Sequence, residues 1–176
     1  MKNRKLLNIE LGRVSAEEYK ELPESGLVVV LDNIRSAHNV GSAFRTSDSF
    51  KIDKICLCGI CAVPPSAEIH KSALGAEDSV AWEHYGNTMD AVSELRKAGY
   101  VIVSVEQTVG SVMLDEFKPE KGRRYALIFG NEVAGVGQDI VDASDLAIEI
   151  PQFGTKHSLN VSVSTGIVLW HFKTTM

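Results

Sequence analysis

Three stretches of the sequence concentrate side chains that can do chemistry. The first, residues 32–46, contains Asn39-Val40-Gly41 and then Arg45-Thr46. A glycine lets another backbone come close, and an amide beside a guanidinium suits the capture of a phosphate or of a developing negative charge. The plainer reading of the same residues is Asn39 as a helix cap and Arg45 as a solvated helix residue. The second stretch, residues 129–137, is glycine-rich and carries Gly130-Asn131-Glu132 with Gly135. No Gly-Lys-Ser/Thr follows and the glycine spacing is wrong for a dinucleotide fingerprint, so both of those phosphate chemistries are disfavoured. What remains is a tight loop offering backbone groups, with Glu132 able to fix a neighbour. The third, residues 150–160, runs from Ile150-Pro151 to Ser158 and Asn160, a hydroxyl and an amide where a helix is expected to start. No Gly-x-Ser-x-Gly elbow surrounds Ser158, which favours a cap over a nucleophile.

Cys56, Cys58 and Cys61 with His70 have the ligand types of a zinc site, but a second Cys-x-x-Cys pair is missing. Buried thiols are the expected reading, with no metal. His38, His84 and His171 show no relay spacing, and His157 falls in the third stretch as a bystander. Trp82, Trp170 and Phe172 are expected to fill core or a subunit interface.

The elements that must position these loops alternate. Residues 27–31, 54–58, 100–105, 125–129 and 146–150 read as short apolar strands, and residues 39–50 and 87–98 as helices, the latter capped by Asn87 and closed by Gly99. Ser15 and Glu18 spell a capping box for a short helix over 16–22. Residues 158–174 are ambiguous, alternating first and then carrying Val163, Ile167 and Trp170 at helical spacing, which favours a C-terminal helix from about Ser158. Strands apolar throughout and separated by helices give an α/β fold, a mainly parallel sheet covered by helices on both faces. Sites on such sheets form outside the carboxyl ends of the strands, where all three stretches fall.

The 176 residues, 44% hydrophobic and 23% charged, suit one domain over residues 25–176 behind a short basic segment and helix at 1–24. The longest apolar run falls far short of the ~20 residues of a bilayer helix, and no signal-peptide core follows Lys2, Arg4 and Lys5. With three clustered cysteines, a cytoplasmic location is expected. The net charge of −5 disfavours coating nucleic acid through an overall field but allows a local basic patch.

Taken in order, the three stretches resemble the signature motifs of the SpoU/TrmH branch of the SPOUT RNA methyltransferases, over about residues 26–170. The resembling residues are Asn39-x-Gly41 with Arg45-Thr46, then Gly130-Asn131-Glu132 with Gly135, then Ile150-Pro151 with Ser158-Leu159-Asn160-Val161-Ser162. The resemblance implies a C-terminal deep trefoil knot, a homodimer whose RNA sites draw on both subunits, and S-adenosyl-L-methionine as methyl donor. The positions matching the family's cofactor site are Gly130, Ile150 and Leu159, with Val105, Glu106 and Gln152 as neighbours. The implied reaction is methyl transfer to a ribose 2′-hydroxyl of tRNA or rRNA.

In family accounts the arginine matching Arg45 assists at the hydroxyl, sometimes as a base. A guanidinium stays protonated below a pKa of ~12, so binding the phosphate and stabilising the oxyanion is the easier role. Asn39, Glu132, Ser158 and Asn160 would hold Arg45 and the ribose. Arg35, Arg45 and Lys71 are the RNA-binding candidates, with a solvated lysine as the equal alternative for Lys71. Some relatives carry an added RNA-binding domain, so grip here is expected from the knot domain, the dimer and Lys2, Arg4, Lys5 and Arg13. The competing function is a catalytically inactive RNA-binding or assembly factor of the same fold.

Overall fold

In the computed structural model, which describes residues 3–176, the chain forms a 3-10 turn at Asn8–Leu11 and then α1 (Ala16–Glu21), β1 (Leu27–Asp32), α2 (Ala37–Ser49) and β2 (Lys54–Cys58). There follow α3 (Ala67–Ala73), α4 (Ala76–Ser79), β3 (Ala81–Tyr85), α5 (Thr88–Lys97), β4 (Val101–Val105) and β5 (Val112–Met113). The chain ends with β6 (Tyr125–Phe129), α6 (Gln138–Ala143), β7 (Leu146–Glu149) and α7 (Val161–Thr175). Lys2 lies outside the described residues. Among these no helix is long and apolar enough to cross a membrane.

The seven strands make one sheet in the order β3-β2-β1-β6-β4-β7-β5, with every pairing parallel. Both faces are covered, which is why the central strands are apolar at consecutive positions rather than alternating. Leu27, Val29 and Leu31 pack with Val40 and Phe44 of α2, Ile69 of α3 and Leu169 and Phe172 of α7. Val28 and Val30 pack on the other face with Ala91, Val92 and Leu95 of α5 and Ile140 of α6. Tyr19 of α1 is buried in the first of these layers, its hydroxyl donating to the carbonyls of Ser47 and Ile52.

Several local expectations change. Ser36, not Asn39, caps α2, its hydroxyl accepting from the Asn39 N–H, so the helix begins two residues earlier and Asn39 sits inside its first turn. Helix α7 begins at Val161 with Asn160 as its cap, and Ser158 belongs to the loop before it. Of the Val163, Ile167 and Trp170 stripe, Val163 and Trp170 face outward, 48% and 58% exposed, and Ile167 packs against the core beside Thr165, Val168, Leu169 and Phe172. The three cysteines do not converge: Cys56 and Cys58 are buried on the α5 side of the sheet and Cys61 on the other. Burial pushes the Cys56 thiol up to about 12 and raises Cys58 and Cys61 as well, so all three stay protonated.

Candidate functional site

The carboxyl ends of β4, β6 and β7 open into a cleft of about 570 Å3. One wall is the loop after β6. Asn131 and Gly135 exchange both backbone hydrogen bonds, at 3.1 and 3.0 Å, and Asn131 Oδ1 accepts from the N–H groups of Val133 and Ala134 at 2.8 Å each. A Cβ on Gly130 would run into Gly135 and Val136, so the loop closes only over a glycine. Gly135, at φ +70°, adopts a backbone that favours glycine, and a Cβ there would strike the Glu106 carboxylate. Glu106 in turn accepts from the N–H of Val136 at 2.9 Å, tying the end of β4 to this wall.

The facing wall is the segment between β7 and α7. Ile150, Gln152, Ser158, Leu159 and Asn160 line it, and Gln107 Nε2 donates to the His157 carbonyl at 2.9 Å across the cleft rim. Asn160 Oδ1 is occupied, accepting from the Ser162 N–H and hydroxyl at 2.8 and 2.6 Å. The remaining Asn160 amide NH2 can only donate. The floor is apolar, from Val105, Phe129 and Ile148. An apolar floor rimmed by backbone groups and a few polar side chains suits a small, partly flat organic ligand.

Glu132 links the cleft to the first stretch. Its carboxylate accepts from Asn39 Nδ2 at 2.8 Å and from the N–H groups of Arg35 and Ser36 at 3.3 and 3.4 Å, the free donors just before α2. Burial pushes its pKa up, but the Asn39 amide and the surrounding backbone N–H groups outweigh that, and the carboxyl is held below the usual glutamate range. The charge is therefore fixed where α2 starts.

Residues 26–170 match the model of the SpoU rRNA Methylase family. The chain belongs to that family. A tRNA (guanosine(18)-2'-O)-methyltransferase of Aquifex aeolicus is 32% identical over 157 residues, which cover 87% of this chain and 71% of that protein. The 23S rRNA (guanosine-2'-O-)-methyltransferase RlmB of Nitrosomonas europaea is 35% identical over 153 residues, 85% of this chain and 56% of its relative. This chain thus spans little more than half the length of that enzyme. In three dimensions an AdoMet-bound rRNA methyltransferase from Sinorhizobium meliloti superposes with a TM-score of 0.80 at 28% identity, over 89% of this chain and 59% of that one.

Of the residues singled out from the sequence, the fold of this family member brings Glu132, Ser158 and Asn160 to one cleft with Val105, Glu106, Gly130, Ile150, Gln152 and Leu159. Asn39 joins them through Glu132. Arg45 does not: it stands exposed six residues along α2, about 9 Å of helix rise from Asn39, and is absent from the cleft lining. Among the described residues its guanidinium enters no ion pair. Arg35 is exposed beside Glu132, and Lys71 pairs with Glu68 at 2.8 Å on the surface. Sequence reasoning missed Gln107 and Ser36, and named Asn131 within the second motif without a role of its own. Ser36 was legible as a serine three residues ahead of an amphipathic run, whereas Gln107 acts through a long-range bond to a backbone carbonyl that no spacing announces.

Proposed function

We propose that this chain transfers the methyl group of S-adenosyl-L-methionine to a ribose 2′-hydroxyl of tRNA or rRNA. The observation that carries the reading is the convergence of the second and third loops on one cleft, with Glu132 joining them to Asn39 of the first. The cleft volume falls within the range of small-molecule sites, about 300–1,000 Å3, and its apolar floor and glycine wall fit an adenosyl group. Gly130, Ile150 and Leu159 would hold the donor, with Val105, Glu106 and Gln152 beside them. The names of the relatives and the AdoMet-bound neighbour support the same assignment.

The donor, when bound, supplies a methyl group on an electrophilic sulfonium. The chain's share is positioning and charge. Holding the ribose oxygen in line with the methyl group removes most of the entropic barrier. Ser158 and the Asn160 amide face the cleft to orient the sugar, and Glu132 fixes Asn39 and the start of α2. As the new O–C bond forms, the sulfur leaves with the electrons of the old S–C bond and the hydroxyl proton passes to bulk water; Arg45, as a cation, stabilises the oxygen during that step and grips the adjoining phosphate, with Arg35 and Lys71 as further phosphate contacts.

Because Arg45 lies outside its own cleft, we assign it to the cleft of a second copy. The outward face of α7, with Val163 and Trp170, offers the surface for such a homodimer. The same reading carries a cytoplasmic location and needs no metal. The 150–160 segment that precedes α7 is the crossing expected of the family's trefoil knot. Mechanical stretching from the two termini would then stop short of the full contour length, and complete extension would exclude the knot.

The deciding experiment is transfer of labelled methyl from S-adenosyl-L-methionine to bulk tRNA and rRNA. Label is expected on RNA and none on a 2′-deoxy acceptor, which lacks the hydroxyl. Donor-independent RNA binding without transfer would replace the enzyme reading with the inactive assembly factor.

A further inference from the structure

Leu31, Phe129 and Val105 are neighbours in register across β1, β6 and β4. The next position on each strand is Asp32, Gly130 and Glu106, so the glycine that opens the cleft wall is flanked by two carboxylates. The chain leaves β6 at Gly130, turns at residues 131–135 and comes back over itself. Its next two backbone N–H groups are then taken in opposite directions. Val136 donates to Glu106 Oε2 at 2.9 Å, and Gly137 donates to Asp32 Oδ2 at 3.0 Å.

Glu106 lines the cleft, but Asp32 does not. It is 4% exposed, and its other oxygen accepts from Thr88 Oγ1 at 2.5 Å and Asn33 Nδ2 at 2.8 Å. Asn33, held at φ +56°, passes the connection on by accepting from the Ile60 N–H at 3.2 Å. A buried carboxylate is costly unless its lone pairs are used, and here both oxygens are. In the opposite direction Glu132, carried on the 130–137 loop, accepts from the N–H groups of Arg35 and Ser36, just after Asp32 in sequence. The two loops are therefore stitched twice, each by a carboxylate of one on backbone N–H groups of the other.

We propose that Asp32 is a positioning residue for the methyl-donor cleft: by holding the Gly137 N–H it pins the returning arm of the 130–137 loop to β1 and sets where Gly130 and Glu132 stand. This rests on the methyltransferase reading above. Only a carboxylate offers acceptors to both sides. In Asp32→Asn one oxygen must serve two donors on the Thr88 side or one on the Gly137 side, and the majority leaves the amide NH2 facing the Gly137 N–H.

The test is calorimetric titration with S-adenosyl-L-methionine, steady-state methylation of bulk tRNA and rRNA, and thermal melting of the full chain. D32N is expected to weaken donor binding about tenfold, the size of one unsatisfied hydrogen bond, and to raise the KM for donor while leaving donor-free RNA binding unchanged. Thr88→Val removes the other oxygen's hydroxyl partner and spares Gly137, so it should lower the melting temperature as D32N does without weakening the donor.

Gly137 has φ −55°, which proline adopts, so Gly137→Pro removes the captured N–H without straining φ and should reproduce the D32N defect even if D32N fails to fold. Gly137→Ala keeps the N–H; its Cβ crowds only the flexible end of Asp139, with Asp32 Oδ2 and Ile140 at ordinary contact distance, and it should bind donor as the wild type does. Donor binding by D32N and G137P within twofold of the wild type would overturn the proposal. So would a T88V defect that tracks its loss of melting temperature, which would make Asp32 merely structural. Failure of the wild type to bind donor would instead bring down the methyltransferase reading, and this proposal with it.

Discussion

At the level of single residues, Glu132 is the side chain on which the first and second loops meet. It receives one side-chain amide and two backbone N–H groups. Glu132→Gln keeps the shape but presents an NH2 to at least one donor, so turnover should fall more than donor affinity. The pH dependence has a definite sign. The folded carboxyl is held below its ordinary value, so its contribution to stability is complete above the unfolded value of about 4.3 and fades as pH falls through the folded one. Melting curves of wild type and E132Q should therefore differ at neutral pH and converge in acid; a gap that widened in acid would show that Glu132 is not held as a carboxylate. The three thiols give an independent check on packing. Buried and protonated, they should resist a charged alkylating reagent at neutral pH until the protein unfolds, and rapid labelling in the folded state would contradict their placement.

At the level of elements, Gly41 shows how a residue of a chemical motif can serve architecture. A Cβ there would run into the Ser72 hydroxyl and the Ile69 carbonyl, so it allows α2 and α3 to touch. Gly41→Ala should cost about 1–3 kcal/mol by overpacking, read as a lower denaturation midpoint, while leaving donor affinity nearly unchanged. Elements with local signals were legible in the sequence. The Ser15–Glu18 capping box, the Asn87 cap and the apolar runs of β1, β2 and β6 all stand where the residues put them. Strand β3 was not legible, because four of its five residues are exposed at the sheet edge and no apolar run marks it. Two-residue β5 and the short α3, α4 and α6 lack the length for a period to show. In α7 the Val163, Ile167 and Trp170 spacing is helical, but only Ile167 of the three packs against the core, since periodicity fixes a face without saying what covers it. The site divides in the same way: loop residues that act where they stand were readable, whereas Asp32 and Gln107 act through backbone groups distant in sequence.

At the level of the whole molecule, the site is incomplete in one chain if Arg45 belongs to the chemistry. The proposed homodimer would cover the outward Val163 and Trp170 of α7 and give Arg45 of neighbouring α2, which enters no ion pair among the described residues, a site to serve. Trp170→Glu should then yield a monomer by sedimentation that still binds donor, whose cleft lies within one chain, but transfers no methyl group. A fully active monomer would exclude the dimer from the mechanism. Arg45→Ala alone should keep donor affinity and lose turnover. Co-expressing Arg45→Ala with Ser158→Ala separates the two geometries. If Arg45 serves its own chain's cleft, every site in the mixed dimer carries one lesion and the mixture stays inactive. If it serves the partner's, one site of each mixed dimer collects both lesions and the other collects none. Random pairing of two equally expressed chains then restores about a quarter of wild-type turnover. An inactive mixture, with mixed dimers verified by mass, would return Arg45 to its own cleft and require α2 to move toward Glu132 when RNA binds.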